Sequence, residues 1–356
     1  MRSCSQRMPR LGDDGSVPHS PAPVPDQPHA ATGPDAASWA PTADLREALG
    51  AAVRSAAAAA RPLVGGGDGD AVDAAAVDAL RSALAGVPAD IRVVSGEGEK
   101  DDAPMLHPGE RFGTGDGPSL DLVVDPVDGT RLAAAGRPGA MAILTVAPRG
   151  SFADLGPAFY LDKLVHAAAS GADAGLRLDA SVAENLARLA AAHGRPVTTL
   201  RVAVQTRPRN AAVAEAVLAA GARLHAFEHG DIERVVHAVA ADGDLDLLLG
   251  IGGAPEGLLE AAIVRAHGGV MQARFAAQSA VERDRIASFL AAGAATGVGA
   301  GLATARGVGL DALCAASALV VIAPVTPCAL GPARAPFVGV EGGTGRGMVS
   351  DGLPED

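Results

Sequence analysis

Four short stretches of the chain set carboxylates beside glycine or at the end of an apolar run. In GDGDAVDAAAVDALR, Asp73 opens a predicted helix, and in SGEGEKDDAPML, Glu97 and Glu99 follow the run IRVVS. In DPVDGTR, directly after LDLVV, Asp125 and Asp128 stand three residues apart. In GIGGAPEGLLEAA, Glu256 lies in the first turn of a predicted helix behind a glycine-rich loop. Hard divalent cations such as Mg²⁺ and Mn²⁺ take oxygen ligands, chiefly carboxylates, with water and substrate phosphate completing the shell. Pro126 fixes the backbone between the two aspartates, Gly129 permits a tight bend, and Thr130 offers a hydroxyl to hold or deprotonate a water. Each stretch also has a plainer reading. Asp73 serves as a helix cap, Glu97 and Glu99 belong to a solvated turn, and Glu256 is an acid favoured by a helix dipole. DPVDGT on its own reads as a surface turn, because Asp-Pro and Asp-Gly are both turn signals. The conjunction of all four favours a metal cradle.

Such ligands need rigid elements behind them. Short β-branched runs fall at residues 91–95, 120–124, 141–147, 200–206, 222–227, 245–250 and 318–323. Helical patterns lie between several of them, notably NAAVAEAVLAAG, DIERVVHAVAA and PEGLLEAAIVRAHG. Strands alternating with helices predict a layered α/β architecture. Ahead of them, TADLRE predicts a helix start at Thr42 that runs to the glycines at 65–67. Residues 1–40, rich in Pro, Ala, Ser and Asp without periodicity, are expected to be a disordered tail, and residues 334–356 a loosely ordered end. The ordered part is expected to divide into a metal-binding half at 41–165 and a substrate-binding half at 166–333.

Bulk composition removes several classes of function. A formal net charge of −12 provides no general basic surface for a nucleic-acid backbone. Three scattered cysteines, Cys4, Cys314 and Cys328, make neither a disulfide framework nor a zinc site. The N-terminus lacks the order of a secretory signal and no apolar run has the length of a membrane span, so the expectation is a cytoplasmic protein without a membrane partner. With aromatics at only 3%, the core must be built from Leu, Val, Ile and Ala, which suits a buried sheet.

The stretches GEGEKDDAPML, DPVDGTRLAAAG and GIGGAPEG, with FYLDKL and RPR between the second and third, resemble the class II fructose-1,6-bisphosphatases. DPVDGT alone resembles a signature of the wider lithium-sensitive phosphatase superfamily, whereas GEGE and GIGGAPEG separate this family from inositol monophosphatases. The resemblance implies an α/β/α/β/α sandwich of the sugar-phosphatase type with Mg²⁺ or Mn²⁺ between its halves. It implies that Asp73 and Glu97 hold one metal and that Asp125, Asp128 and Glu256 hold another, with Thr130 helping Asp73 position the attacking water. It carries substrate contacts to Asp128, Gly129, Thr130, Tyr160, Arg207, Pro208, Arg209, Asp231 and Gly253. The implied reaction removes the 1-phosphate of fructose 1,6-bisphosphate, a small sugar bisphosphate, and a homo-oligomer is expected.

The chain departs from the family pattern at identifiable places. GDGDAVD replaces GDKNxAD, Ala158 replaces an acid before Tyr160, and His229 in FEHGD stands where the family has a sugar-binding aspartate. Arg207 replaces a lysine, Asn210 a histidine, and IAPVTPCALGPA follows the family's ATGIT region only loosely. Three readings stay open: a working fructose bisphosphatase, a paralogue acting on another phosphorylated metabolite, or a weakened enzyme kept as a sugar-phosphate- or metal-binding protein. Retention of the metal acids and Thr130 favours catalysis. A dinucleotide-binding protein is disfavoured because GIGGAP lacks the GxGxxG spacing.

Overall fold

The computed structural model describes residues 39–96, 106–168, 174–292 and 297–328. The expected tail and C-terminal end fall almost wholly outside them, as do Glu97 and Glu99. Thr42 caps α1 (Ala43–Ala60), its hydroxyl accepting from the Leu45 amide at 3.2 Å. The helix stops there as a short 3₁₀ turn at Arg61–Leu63, since Pro62 has no N–H to continue the ladder. α2 (Gly69–Leu84) corrects one expectation. Its cap is Asp68, which accepts from the Ala71 amide at 3.0 Å, and Asp73 sits one turn further in, on the buried face with Ala76, Val77 and Leu80.

Two sheets follow. The first contains β1 (Asp90–Ser95), β2 (Arg111–Phe112), β3 (Ser119–Asp128), β4 (Met141–Pro148) and, from the far end of the chain, β11 (Leu319–Pro324). Its order is β11-β4-β3-β1-β2, with β1 and β3 parallel and the other pairs antiparallel. The second contains β5 (Tyr160–His166), β6 (Arg201–Gln205), β7 (Arg223–Phe227), β8 (Leu247–Gly253), β9 (Val270–Phe275) and β10 (Val308–Gly309), in the order β10-β9-β5-β8-β6-β7. The expected division at residue 165 therefore shifts. β5 already belongs to the second sheet, and β11 returns to the first.

Helices fill the spaces between and outside the sheets. α1 and α2 cover the outer face of the first sheet, where Leu45, Leu49 and Leu80 meet Leu120, Leu122 and Leu144. After the short α3 (Thr130–Ala134), α4 (Val182–His193) and α5 (Ala211–Ala219) cover the outer face of the second sheet, with Leu186, Leu189 and Val217 against Val202, Val204 and Leu247. Between the sheets lie α6 (Asp231–Val239) and α7 (Ala254–Ala266), which share one core with Val123, Ile143, Leu161 and Met271. α7 is apolar nearly all round, as a helix enclosed by two sheets must be. α8 (Ala280–Ala291), α9 (Val298–Leu302) and α10 (Leu310–Leu313) complete the described chain. The resulting order of layers is α/β/α/β/α, the sandwich expected from the sequence.

Candidate active site

DPVDG is not a surface turn: Asp125 and Asp128 are buried within the last turn-free stretch of β3. In a regular strand, residues three apart point to opposite faces. Here the register slips, so that Asp125 opposes Ile143 and Asp128 opposes Met141. Three steps along β3 match two along β4, as in a bulge. Leu122, Val124 and then Val127 face the α1–α2 layer, while Ile143 and Met141 belong to the core between the sheets. Both aspartates are thereby turned inward to the same layer. Asp125 Oδ1 accepts from the Val127 amide at 2.9 Å, which fixes the bulge from within.

Gly129 follows with φ at +83°, a left-handed conformation that glycine adopts without strain. It delivers Thr130 to the first position of α3, where the hydroxyl donates to the Val127 carbonyl at 2.8 Å. With its proton engaged there, Thr130 Oγ1 keeps lone pairs that can accept a hydrogen bond. The start of α2 lies alongside: a Cβ added to Gly69 would sit 3.2 Å from the Thr130 methyl group. Asp73, one helical turn after Gly69, is buried on this side of α2.

Across the inner layer, the N-termini of α6 and α7 bring further acids. Gly230, with φ at +84°, turns the chain into α6 and places Asp231 at its first position. Glu256 occupies the first turn of α7, and Glu260 lies one turn beyond it, fully buried. Lys163 from β5 is buried too, at 1% exposure, and its ammonium donates to Asp231 Oδ2 at 3.0 Å and to Glu260 Oε1. β8 passes so close that a Cβ on Gly252 would lie 2.5 Å from both Lys163 Nζ and Asp231 Oδ2. Burial opposes the Lys163 charge, but Glu260 and Asp231 more than offset this and hold its pKa above the ordinary value.

Asp231, Glu256 and Glu260 therefore share a single ammonium, and Asp128 adjoins the same three acids. Burial first, then Asp231, Glu256 and Glu260, push the Asp128 carboxyl well above the usual carboxylate range, with partial relief from the Ile232 amide. Asp128 Oδ2 is buried and has no hydrogen-bond partner among the described residues. An orphaned buried oxygen amid surplus negative charge is a fit for a divalent cation, and oxygen donors are the chemistry Mg²⁺ and Mn²⁺ select. Among the described residues no three His, Cys, Asp or Glu side chains close into a complete metal-holding group. Glu97 lies outside those residues.

The carboxyl ends of β6 and β8 build a cationic rim. Arg209 donates from Nε to the Ile251 carbonyl at 2.9 Å and from Nη2 to Gln205 Oε1 at 3.0 Å, and its guanidinium lies over the Tyr160 ring at 4.6 Å. Arg207 Nη2 lies 3.0 Å from His229 Nδ1. Burial, then Arg207 and Arg131, hold the His229 pKa below its ordinary value, so the neutral ring accepts from Arg207. Pro208 begins the 3₁₀ turn that sets the spacing of the two arginines. Asn210 is a latch: its amide donates to the Gln205 and Ile251 carbonyls, both at 3.1 Å, and accepts from the Ile251 amide at 2.8 Å. Those bonds join β6 to β8 where their ladder has ended at Ala203 and Leu248.

The predicted residues thus fall into two groups around one inner layer. Asp125, Asp128, Gly129 and Thr130 come from the first sheet, and Tyr160, Arg207, Arg209, Asp231, Gly253 and Glu256 from the second. Tyr160 and Gly253 are direct partners across β5 and β8. Asp231, expected to contact substrate, has one oxygen on Lys163 and the other on Gln205 at 3.1 Å. Lys163, Gln205 and Glu260 were not anticipated from sequence. A lysine amid the apolar residues of YLDKLVH, and a glutamate amid those of GLLEAAIV, were the available signals.

Residues 44–297 match the family model described as "Bacterial fructose-1,6-bisphosphatase, glpX-encoded". The chain is 41% identical over 230 residues to fructose-1,6-bisphosphatase 1 class 2 of Escherichia coli (strain K12), covering 65% of this chain and 68% of that one. The same identity and coverage hold for the fructose-1,6-bisphosphatase class 2 of Shigella flexneri. Among solved structures, the extragenic suppressor protein suhB from Bartonella henselae superposes loosely, with a TM-score of 0.32 and 12% identity over 57% of this chain and 75% of that one. No helix among the described residues is long and apolar enough to cross a membrane. The bulged aspartate pair, Thr130, the RPR rim and the Gly253–Glu256 turn all lie within the matched span, and the chain belongs to the class 2, glpX-type bacterial fructose-1,6-bisphosphatase family.

Proposed function

We propose that the protein hydrolyses the 1-phosphate of fructose 1,6-bisphosphate, giving fructose 6-phosphate and phosphate, with Mg²⁺ or Mn²⁺ as cofactor. The observation that carries this reading is the surplus of buried carboxylates around Asp128 directly beside Thr130 and opposite two arginines. Asp73, Glu97, Asp125, Asp128 and Glu256 would hold the cations. When bound, these cations supply charge neutralisation at the phosphoryl oxygens and acidify water, the two demands of phosphate-monoester hydrolysis. Thr130 Oγ1, with its proton donated to the Val127 carbonyl, accepts a hydrogen bond from the attacking water and orients it, with Asp73 alongside. Arg207 and Arg209 hold the distal phosphate, so that binding energy far from the scissile bond is spent on alignment.

A second reading keeps the metal chemistry and changes the substrate. His229 favours it, because a neutral imidazole bonded to Arg207 is a poorer acceptor for sugar hydroxyls than a carboxylate. Phosphate release from fructose 1,6-bisphosphate, sedoheptulose 1,7-bisphosphate, inositol 1-phosphate and glycerol phosphate, each with Mg²⁺, Mn²⁺ or chelator, separates the two. Metal-dependent turnover fastest with the fructose ester supports the first reading, and preference for another ester supports the second. Turnover that chelator leaves intact overturns both.

A further inference from the structure

Gln205, the last residue of β6, has no part in the reaction as proposed, yet its amide is used at both ends. Nε2 donates to Asp231 Oδ1 at 3.1 Å, and Oε1 accepts from Arg209 Nη2 at 3.0 Å. Asp231 also accepts from Lys163, and Lys163 donates to Glu260. One continuous chain therefore runs Glu260–Lys163–Asp231–Gln205–Arg209, from the buried acids to the rim.

The partners fix the orientation of the amide. An ionised Asp231 only accepts and Arg209 only donates, so a flipped amide would set oxygen against carboxylate and NH₂ against guanidinium. The neighbouring strand pattern, VAVQ, calls for an apolar residue at this half-buried position. Leucine or methionine would supply the volume but neither bond. Arg209 is in turn held three ways, by Gln205, by the Ile251 carbonyl and by the face of Tyr160. A guanidinium fixed before the ligand arrives loses less freedom on binding than a free one. Arg207, by contrast, bonds the His229 ring at 3.0 Å and, at 3.5 Å, only the carbonyl of its chain neighbour Thr206.

We propose that Gln205 is a positioning residue for substrate binding. Its amide holds the Arg209 fork in the orientation that receives the phosphate distal to the scissile bond, and it is itself held by the Lys163–Asp231 pair. This rests on the fructose-bisphosphatase reading.

Gln205→Met keeps length and volume while removing both hydrogen-bonding ends. The fold of the variant is checked by thermal unfolding, and Gln205→Leu, which suits a strand, replaces it if the methionine does not fold. The KM for fructose 1,6-bisphosphate is expected to rise about tenfold, the effect of one displaced charge-assisted contact. Meanwhile kcat and Mn²⁺ affinity measured without substrate stay near wild type. In an Arg209→Lys background the same substitution adds little further, because both act through one group. An unchanged KM overturns the proposal, as does a parallel loss of kcat and Mn²⁺ affinity or a fully additive double variant. If wild type releases no phosphate from the fructose ester with either metal, that reading of the function falls. Calorimetric titration with inorganic phosphate then tests Gln205 separately: weaker binding in the variant supports its role, and equal binding overturns it.

Discussion

At the end of β3, Asp128 keeps a buried oxygen without a hydrogen-bond partner among the described residues and is crowded by three other acids. At the end of β6, Gln205, Arg209 and Asn210 sit in bonds that use both donors and acceptors. The first arrangement is costly in the absence of a cation and is relieved by one. The second is complete before any ligand arrives. The proposed metal site and substrate rim, built on adjoining sheets, thus store their free energy differently: one in surplus charge, the other in fixed geometry.

The contrast breaks most severely at Lys163. Lys163→Met would leave Asp231 and Glu260 buried without their counter-ion, turning a satisfied network into a second surplus of charge. The expected loss of stability is about 3–5 kcal/mol, the cost of removing one member of a buried pair, read from denaturant unfolding. Asn210→Ala removes the bonds between β6 and β8 and should cost about 1–3 kcal/mol, with KM rising because Arg209 and Ile251 move apart. Neither change touches the bulge in β3. A large fall in Mn²⁺ affinity in Asn210→Ala would show that the two sides are not separable.

Gly253→Ala tests the metal side with little disturbance of the fold. The added Cβ would lie 1.8 Å from Glu256 Oε2, the far end of a flexible side chain, so the carboxylate must swing away while the backbone stays. Thermal stability should hold near wild type as Mn²⁺ affinity falls roughly 10- to 100-fold, the range for mispositioned metal ligands. Unchanged affinity would remove Glu256 from the cradle.

The smallest expected effect lies at His229. Its folded-state pKa is lowered, chiefly by burial and then by Arg207 and Arg131. The unfolded chain therefore binds this proton more readily, and stability falls as pH drops below about 6.5. Protonation also turns the acceptor of Arg207 into a like charge. KM should rise over the same interval beyond what the substrate's own ionisation explains, and His229→Leu should flatten that excess. A variant with the wild-type profile would place the titration elsewhere.

Much of this was legible in the sequence where local pattern and tertiary role agree. The apolar run LDLVV, the Pro-Glu start of α7 and the acids opening α6 all announce their elements. YLDKLVH does not read as a strand because Asp162 and Lys163 break its apolar pattern, and only Asp231 and Glu260, 68 and 97 residues away, explain a buried lysine there. Gln205 was passed over for the same reason, since its partners at 209 and 231 meet only in the fold. Asp73 reads as the start of α2 because Asp68, Asp70 and Asp73 are chemically equivalent candidates for that place, and only the geometry chooses Asp68 as the cap. The bulge at 125–128 explains how two aspartates three apart share a face, which no periodicity rule predicts.

As proposed above, the β3 bulge holds Asp128 in surplus negative charge so that a cation can act on a phosphate ester. Asp128→Asn, measured for phosphate release from fructose 1,6-bisphosphate with Mn²⁺ and for thermal unfolding without metal, tests it most directly. The raised folded-state pKa of Asp128 means that the metal-free wild type gains stability as pH falls through that pKa toward the unfolded value near ~3.9. The variant is expected to lose roughly 10³-fold in turnover, about 4 kcal/mol of transition-state stabilisation, while its metal-free form melts higher at neutral pH and loses that pH dependence. A variant that retains turnover, or one that melts lower than wild type without metal, would contradict the proposal.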